Sequence, residues 1–296
     1  MSEIKKVVFI GKNSYIGACC QEWMKKQCPD WQMFSLSSRD DSWSTYDFSD
    51  TDSVVFVAGI AHRKETKENK ELYYKVNCDL AVNCCKRAAD AGVKQFIYLS
   101  SQSVFGQKQK DRKVVITKDT VLSPNTTYGK SKMKAEQELE SLELANMKLA
   151  IVRPPMVYGK CAKGNYVRLA SFAMKLPFFP KVKNERSMIF IDNLSECIRL
   201  IILNESKGYF HPQNREYVCT SNLVKTIANA HHKKLFLVAG FQWLIGLVIP
   251  RIGIVSKVFG SLVYEKEMSD CFDYQYCVCE FEESILQTES GVQSFK

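Results

Sequence analysis

Tyr128 and Lys132 stand four residues apart at the start of a charged amphipathic stretch, a spacing that puts both side chains on one face of a helix. A phenol ordinarily ionises at about pH 10, so at neutral pH it needs help to act as a base. A neighbouring ammonium stabilises the phenolate and supplies that help. Tyr128 can then take a proton from a hydroxyl or give one to a ketone. Ser101 closes an apolar run and can hold the reacting oxygen beside Tyr128. The same spacing also occurs by chance on solvated helices, so the constellation gains its meaning from the segments around it.

The first of these is Gly11-Lys12-Asn13-Ser14-Tyr15-Ile16-Gly17, between a strand-like run and a helical one. Gly11 allows a sharp turn and Gly17 a close approach of helix to strand. The free N–H groups of the helix start then suit a pyrophosphate. The second is Ser37-Ser38-Arg39-Asp40-Asp41, after the second strand-like run. An acid at its first position would bind the ribose hydroxyl of NAD, and an arginine would accommodate the extra phosphate of NADP. Ser37 with Arg39 close by leans toward NADP; an Arg39 paired to Asp40 or Asp41 would leave NAD acceptable. The cofactor is therefore NAD or NADP.

Positioning these groups requires an alternation of strands and helices. Apolar runs at residues 6–10, 32–36, 53–58, 95–99 and 149–152 predict strands. Helical spacing covers 16–26, 71–91 and 128–142. The order predicts an α/β chain with a parallel sheet and helices on both faces. In such a sheet, ligands bind beyond the carboxyl ends of the strands. Those ends are 11–17, 37–39, 58–61, 100–105 and 154–158, all rich in small or polar residues.

The bulk composition narrows the partners. With 296 residues and 46% hydrophobic content, the chain can build one large domain or a main domain and a smaller one. The net charge of +9 favours an anionic ligand, but the lysines are scattered, which argues against nucleic acid. Twelve cysteines include no C-x-x-C pair, so neither a zinc nor a redox signature is present, and no metal is expected. Pairs such as Cys19-Cys20 and Cys84-Cys85 read as small buried hydrophobes in a reducing compartment. The N-terminus leads straight into a strand-like run, which predicts no signal peptide and a cytoplasmic location. Residues 235–260 are strongly apolar and interrupted by Pro250, Gly240, Gly246 and Gly253. They read as a broken pair of short helices over a pocket, with a membrane-surface contact as the alternative.

From Lys6 to about Glu289 the chain resembles the extended short-chain dehydrogenases/reductases, in their NAD-dependent epimerase/dehydratase family, and within it proteins like UDP-glucose 4-epimerase. The motifs that carry the resemblance are Gly11-x-x-Ser14-x-x-Gly17, Val57-Ala58-Gly59-Ile60-Ala61, Asn77, Ser100 to Gly106, Tyr128-Gly129-Lys130-Ser131-Lys132 and Arg153-Pro154-Pro155-Met156-Val157-Tyr158-Gly159. The resemblance implies a Rossmann-type doubly wound sheet with a smaller C-terminal substrate-binding region. Residues 1–160 would bind the dinucleotide, with 187–215 returning to that part, and 161–186 and 216–296 would hold a nucleotide sugar.

It also implies roles. Tyr15, Ile16, Ala58, Gly59, Ala61 and Pro155 would line the cofactor, Asp47 and Phe48 would meet its adenine, and Asn77 would support the loop beneath it. Lys132 would also bond the nicotinamide ribose. Ser103, Asn165, Arg186 and Ser261 would hold the substrate, Arg186 by gripping its diphosphate. The plainer alternative for Arg186 is an ion pair with Glu185 or Asp192. Three positions depart from the pattern: Ser14 replaces a glycine, Met156 replaces an asparagine that touches the sugar, and Gln102-Ser103 replaces the acid pair of the dehydratases. Dehydration is thereby disfavoured. A UDP-sugar 4-epimerase of surface-polysaccharide synthesis and an NADPH-dependent 4-keto-reductase remain, with a non-catalytic NADP sensor as a third reading. A homodimer is compatible with such a sheet.

Overall fold

In the computed structural model, which describes residues 4–40, 42–61, 66, 69–106, 113–240 and 259–290, strands and helices alternate from the start. The chain opens with β1 (Lys6–Ile10), α1 (Tyr15–Gln27), β2 (Gln32–Leu36), α2 (Ser42–Thr45) and β3 (Ser53–Phe56). There follow α3 (Lys70–Tyr74), a π turn (Lys75–Asp79), α4 (Leu80–Asp90), β4 (Gln95–Leu99) and a 3-10 turn (Gln102–Phe105). The middle holds β5 (Lys113–Ile116), α5 (Thr127–Glu140), β6 (Lys148–Val152), β7 (Met156–Tyr158), α6 (Asn165–Lys175) and β8 (Phe178–Pro180). The remainder holds β9 (Met188–Phe190), α7 (Ile191–Leu203), β10 (Gly208–Phe210), α8 (Thr220–Ala230), β11 (Phe236–Val238), β12 (Ser261–Tyr264) and α9 (Phe281–Glu289).

Two compact units share the chain. The first comprises Met1–Gly106, Leu122–Pro154 and Leu194–Pro212. Its sheet has six strands in the order β10-β6-β4-β3-β1-β2, all parallel. Every residue of β3 and β4 is buried, which is why these strands read as unbroken apolar runs rather than alternating ones. The order reverses at β1, which has β2 on one side and β3 on the other. A Rossmann-type sheet opens its ligand crevice at such a switch point, beyond the strand ends.

Two details differ from the sequence pattern. β3 stops at Phe56 because the N–H groups of both Val57 and Ala58 turn to the Ile10 carbonyl, at 3.0 and 2.9 Å. The helix expected over 71–91 is interrupted by the π turn, and the fully buried Asn77 lies in that turn. Such turns are rare and favour functional sites. Cys20, Cys84 and Cys85 are buried free thiols, as small hydrophobes should be, and burial pushes Cys85 up to about 12.

The second unit comprises Gln107–Val121, Pro155–Asn193 and Gln213–Lys296. It contains three two-stranded parallel pairs, β7 with β9, β8 with β11 and β5 with β12. Stacked Tyr158 and Tyr166 rings, 5.4 Å apart, mark its core. Their hydroxyls are bonded to Ser284 and Glu289, and Glu289 also pairs with His231 at 2.7 Å. Among the described residues no helix is long and apolar enough to cross a membrane. Residues 241–258, with Asp41, Gly246, Pro250 and Gly253, lie outside the described residues, and so does most of the expected helix pair.

Candidate active site and dinucleotide-binding loops

The phosphate loop is built at the switch point. The Gly11 and Lys12 N–H groups both donate to the Leu36 carbonyl, at 2.9 and 3.0 Å, which ties the loop to the end of β2. Gly11 has φ +125°, and a Cβ there would lie 2.8 Å from the Ala58 nitrogen, so only glycine fits. Ser14, in place of the usual glycine, caps α1 by accepting from the Gly17 N–H at 3.3 Å. Tyr15 and Ile16 begin the helix, half-buried, and the buried Gly17 packs α1 against Val57.

Beside this loop, Lys12, Asn13, Ser35, Leu36, Ser37, Asp40 and Ser42 line a cavity of about 540 Å³. Ser37 accepts from the Arg39 N–H at 3.1 Å, but the Arg39 side chain is not part of the lining. Lys12 is, and the sequence reading overlooked it. Its signal was its place right after the first glycine, at the end of the strand that neighbours β2. Asp40 accepts from the Ser42 N–H, and hydrogen bonds from Ser42 and Ser37 with the charge of Lys12 hold its carboxyl below the usual range. Asp47 is exposed and accepts from the Ser49 N–H at 3.0 Å. Phe48 is buried in the core against Tyr46, so it has only its backbone to offer a ligand.

Ala58, Gly59 and the half-buried Ala61 form the turn after β3. Asn77 clamps that turn from below: its Oδ1 accepts from the Ile60 N–H at 2.8 Å and its Nδ2 donates to the Ile60 carbonyl. The same Nδ2 reaches Ser131 on α5, at 2.9 Å. A Cβ on Gly59 would lie 3.2 Å from Asn77 Oδ1 and 3.6 Å from Lys132 Nζ, so the turn, α5 and the π turn meet at one point. Fixed N–H groups, a glycine-lined turn and the polar cavity together fit a dinucleotide.

The same unit brings Ser101, Ser103, Tyr128 and Lys132 together. Thr126 caps α5 by accepting from Gly129 N–H at 3.0 Å, which sets Tyr128 in the first turn. Gly129 lets this turn come close, since a Cβ there would lie 2.5 Å from the Ser103 carbonyl oxygen. Ser101 donates to Ser103 Oγ at 3.1 Å and hydrogen-bonds the Tyr128 phenol. Lys132 is buried, donates to the Leu99 carbonyl at 2.7 Å and lies 4.5 Å from the centre of the Tyr98 ring.

The electrostatics differ from the sequence expectation. Burial raises the Tyr128 phenol above its ordinary value, with Ser101 opposing that shift. Burial also lowers Lys132 to about 7, with Glu136 opposing it. The cause is shared: both groups are held away from water, where any charge is disfavoured.

A buried ion pair that the sequence did not reveal stands behind this cluster. Glu136, one turn beyond Lys132 on α5, receives both Nε and Nη2 of Arg153, at 3.1 and 2.7 Å. Ser100 donates to the same carboxylate. Arg153 also stacks on Tyr209 at 4.0 Å and approaches His211, which burial and the guanidinium push down to about 3. The pair thus fixes the strand end that carries Ser101.

The remaining candidates belong to the second unit. Pro155 is buried just before β7, and Asn165 is exposed at the first position of α6. Arg186 donates from Nη1 to the Gly260 carbonyl at 2.9 Å, and burial pushes its guanidinium down to about 10. Glu185 pairs with Lys113 at 3.0 Å instead. Ser261 accepts from the Glu185 N–H at 3.0 Å and lines a cavity of about 470 Å³ with Lys113, Lys181, Lys183 and Asn184.

A doubly wound parallel sheet with this glycine loop and this Ser–Tyr–Lys constellation defines an extended short-chain dehydrogenase/reductase. More narrowly, the chain belongs to the NAD dependent epimerase/dehydratase family, whose profile matches residues 19–217. Enzymes of this family work with NAD or NADP.

The chain is 33% identical to a UDP-glucose 4-epimerase of Vibrio cholerae over 223 residues, 72% of this chain and 68% of that one. It is 27% identical to the N-acetyl-alpha-D-glucosaminyl-diphospho-ditrans,octacis-undecaprenol 4-epimerase of Escherichia coli O157:H7, over 62% of this chain and 56% of that one. The fold is similar to that of a dTDP-4-dehydrorhamnose reductase from Clostridium acetobutylicum, with TM-score 0.73, 17% identity and coverage of 96% and 98%. It is also similar to that of the Thermus thermophilus UDP-glucose 4-epimerase in complex with NAD, with TM-score 0.71, 17% identity and coverage of 96% and 97%.

Proposed function

We propose that the protein is an NAD(P)-dependent 4-epimerase of a UDP-hexose or UDP-N-acetylhexosamine, acting through a 4-keto sugar in surface-polysaccharide synthesis. The observation that carries this reading is the hydrogen bond between Ser101 and Tyr128 with the buried Lys132 one helical turn along. Relatives named as 4-epimerases support the reaction type.

In this mechanism Ser101 holds the C4 oxygen and Tyr128 removes its proton. When Tyr128 enters the reaction as a phenolate, the Lys132 ammonium one helical turn along stabilises it, because the phenolate–ammonium pair is neutral as a whole. A nicotinamide dinucleotide held by the Gly11–Gly17 loop, the Ala58–Ala61 turn and Lys132 would supply the hydride chemistry at C4. Tyr128 gives its proton back as the second hydroxyl forms. Arg186, Asn165 and Ser261 hold the sugar's diphosphate, while Ser103 helps orient the ring. Arg186 suits this role because its guanidinium is desolvated and its acidic neighbour Glu185 is engaged by Lys113.

A second reading, an NADPH-dependent 4-keto-reductase, is favoured by the adenosine side of the site. Lys12 lines that cavity, no acid follows β2 directly, and Arg39 stands in the chain between two of its lining residues, Ser37 and Asp40. One experiment separates the two. The purified protein is denatured and any released dinucleotide identified. Near-stoichiometric NAD supports the epimerase; an empty protein that prefers NADPH to NADH supports the reductase and assigns Lys12 and Arg39 to the ribose phosphate.

A further inference from the structure

The second unit carries an apolar surface flanked by lysines, and the exposed acid next to them in the chain, Glu185, is held by Lys113 at 3.0 Å. Five consecutive residues, Met174-Lys175-Leu176-Pro177-Phe178, are exposed where α6 runs into β8. Phe178 is in register with Phe236 on β11; their rings lie 5.9 Å apart and each residue is 58% exposed. Side chains alternate along a strand, so these two rings share the outer face of the pair while Phe179 is buried on the inner face. Single exposed apolar residues are ordinary on any protein, but a contiguous group marks a contact surface.

Lys181 and Lys183 are exposed just after β8, and Lys234 just before β11. Lys233 reaches the Met174 carbonyl and ties the two edges together. Residues 159–184 and 217–240, which form α6, β8, α8 and β11, contain no aspartate or glutamate, and the absence continues in the sequence to Tyr264. A self-complementary protein contact has no need to exclude acids over such a length. A surface facing a layer of phosphates does, because each carboxylate would be repelled. Aromatic rings can sit at headgroup depth while lysines beside them extend to the phosphates.

We propose that this face of the second unit docks on an anionic phospholipid bilayer. The inference does not depend on which sugar reaction the enzyme performs. In the test, the full chain is mixed with vesicles of phosphatidylcholine, with or without phosphatidylglycerol, and the floating fraction is measured. Binding should be at least roughly tenfold stronger to the anionic vesicles and should weaken as salt rises. Phe178→Ser with Phe236→Ser, and separately Lys181→Gln with Lys183→Gln, should each weaken it by about tenfold, with dinucleotide binding unchanged. The proposal is overturned if anionic vesicles do not float the protein, or if neither pair of substitutions alters flotation. It is equally overturned if the phenylalanine pair only converts a dimer to a monomer, since the face would then join two copies.

Discussion

Lys132→Met should change the pH dependence of stability in a way no surface lysine would. Burial holds the ammonium at about 7 instead of the ordinary 10.5. Below the folded value, the folded chain keeps a buried charge that the unfolded chain keeps in water. Above the unfolded value, neither state carries it. The wild type therefore gains stability as pH rises from about 7 to about 10.5, with a slope of up to about 1.4 kcal/mol per pH unit. The full cost of the buried charge is about 5 kcal/mol at low pH, an order-of-magnitude value for a group this buried. Between about pH 7 and about pH 9 roughly 2 kcal/mol of it is recovered.

The substitution also removes the bond to the Leu99 carbonyl and the contact with the Tyr98 ring. Those losses do not depend on pH. Cysteines such as Cys84 and Cys85, pushed up by burial in the folded chain, ionise in this range only when the chain unfolds, and that contribution is common to both proteins and cancels in the difference. Urea unfolding followed by the fluorescence of the four tryptophans gives that difference directly. Wild type minus Lys132→Met should rise by about 2 kcal/mol from about pH 7 to about pH 9. A difference constant to within about 0.5 kcal/mol would show that Lys132 titrates like a solvated lysine, and the electrostatic argument for the site would fail.

Four other outcomes follow from the geometry. Tyr128→Phe should lower turnover of nucleotide sugars by about 10²- to 10⁴-fold with little change in dinucleotide affinity, measured by steady-state kinetics and titration. Gly129→Ala places a methyl group against the Ser103 carbonyl, so it should cost about 1–3 kcal/mol in unfolding experiments. It should also reduce turnover by about tenfold or more, because the start of α5 must shift. Arg153→Met leaves Glu136 buried without its partner and should destabilise by about 3–5 kcal/mol; adding Glu136→Leu should recover part of that loss in the same unfolding assay. Lys12→Glu should cut NADPH affinity by about tenfold relative to NADH if the enzyme takes the phosphorylated cofactor, and leave their ratio unchanged otherwise.

Much of the first unit was legible because a buried parallel sheet writes itself plainly. β1, β3 and β4 need apolar side chains on both faces, so their sequences are continuous runs, and the loops after them stand out as small and polar. The short strands of the second unit carry no such signal. Three residues of β7 or β9 are too few to show a period, and their pairing joins positions more than thirty residues apart, as Met156 with Met188. The π turn was hidden for a related reason: one extra residue per turn does not spoil an apolar stripe enough to be read.

The site shows the same division. Tyr128 and Lys132 were readable because both their types and their spacing are local to one helix. Glu136 continues that row at the next turn, yet a glutamate in a charged helix reads as solvated. Its role depends on Arg153, at the end of β6, and on Ser100, at the end of the adjacent β4. Only the register of β4 with β6 brings these three together. The helix thus presents a phenol, an ammonium and a carboxylate in successive turns, and the carboxylate is bonded to the strand end that carries Ser101 while its charge also acts on Lys132. That double role links the charge on Lys132 to the position of Ser101: loosening Glu136 would both lower the lysine further and free the serine. A substitution there would therefore damage catalysis without touching any reacting atom.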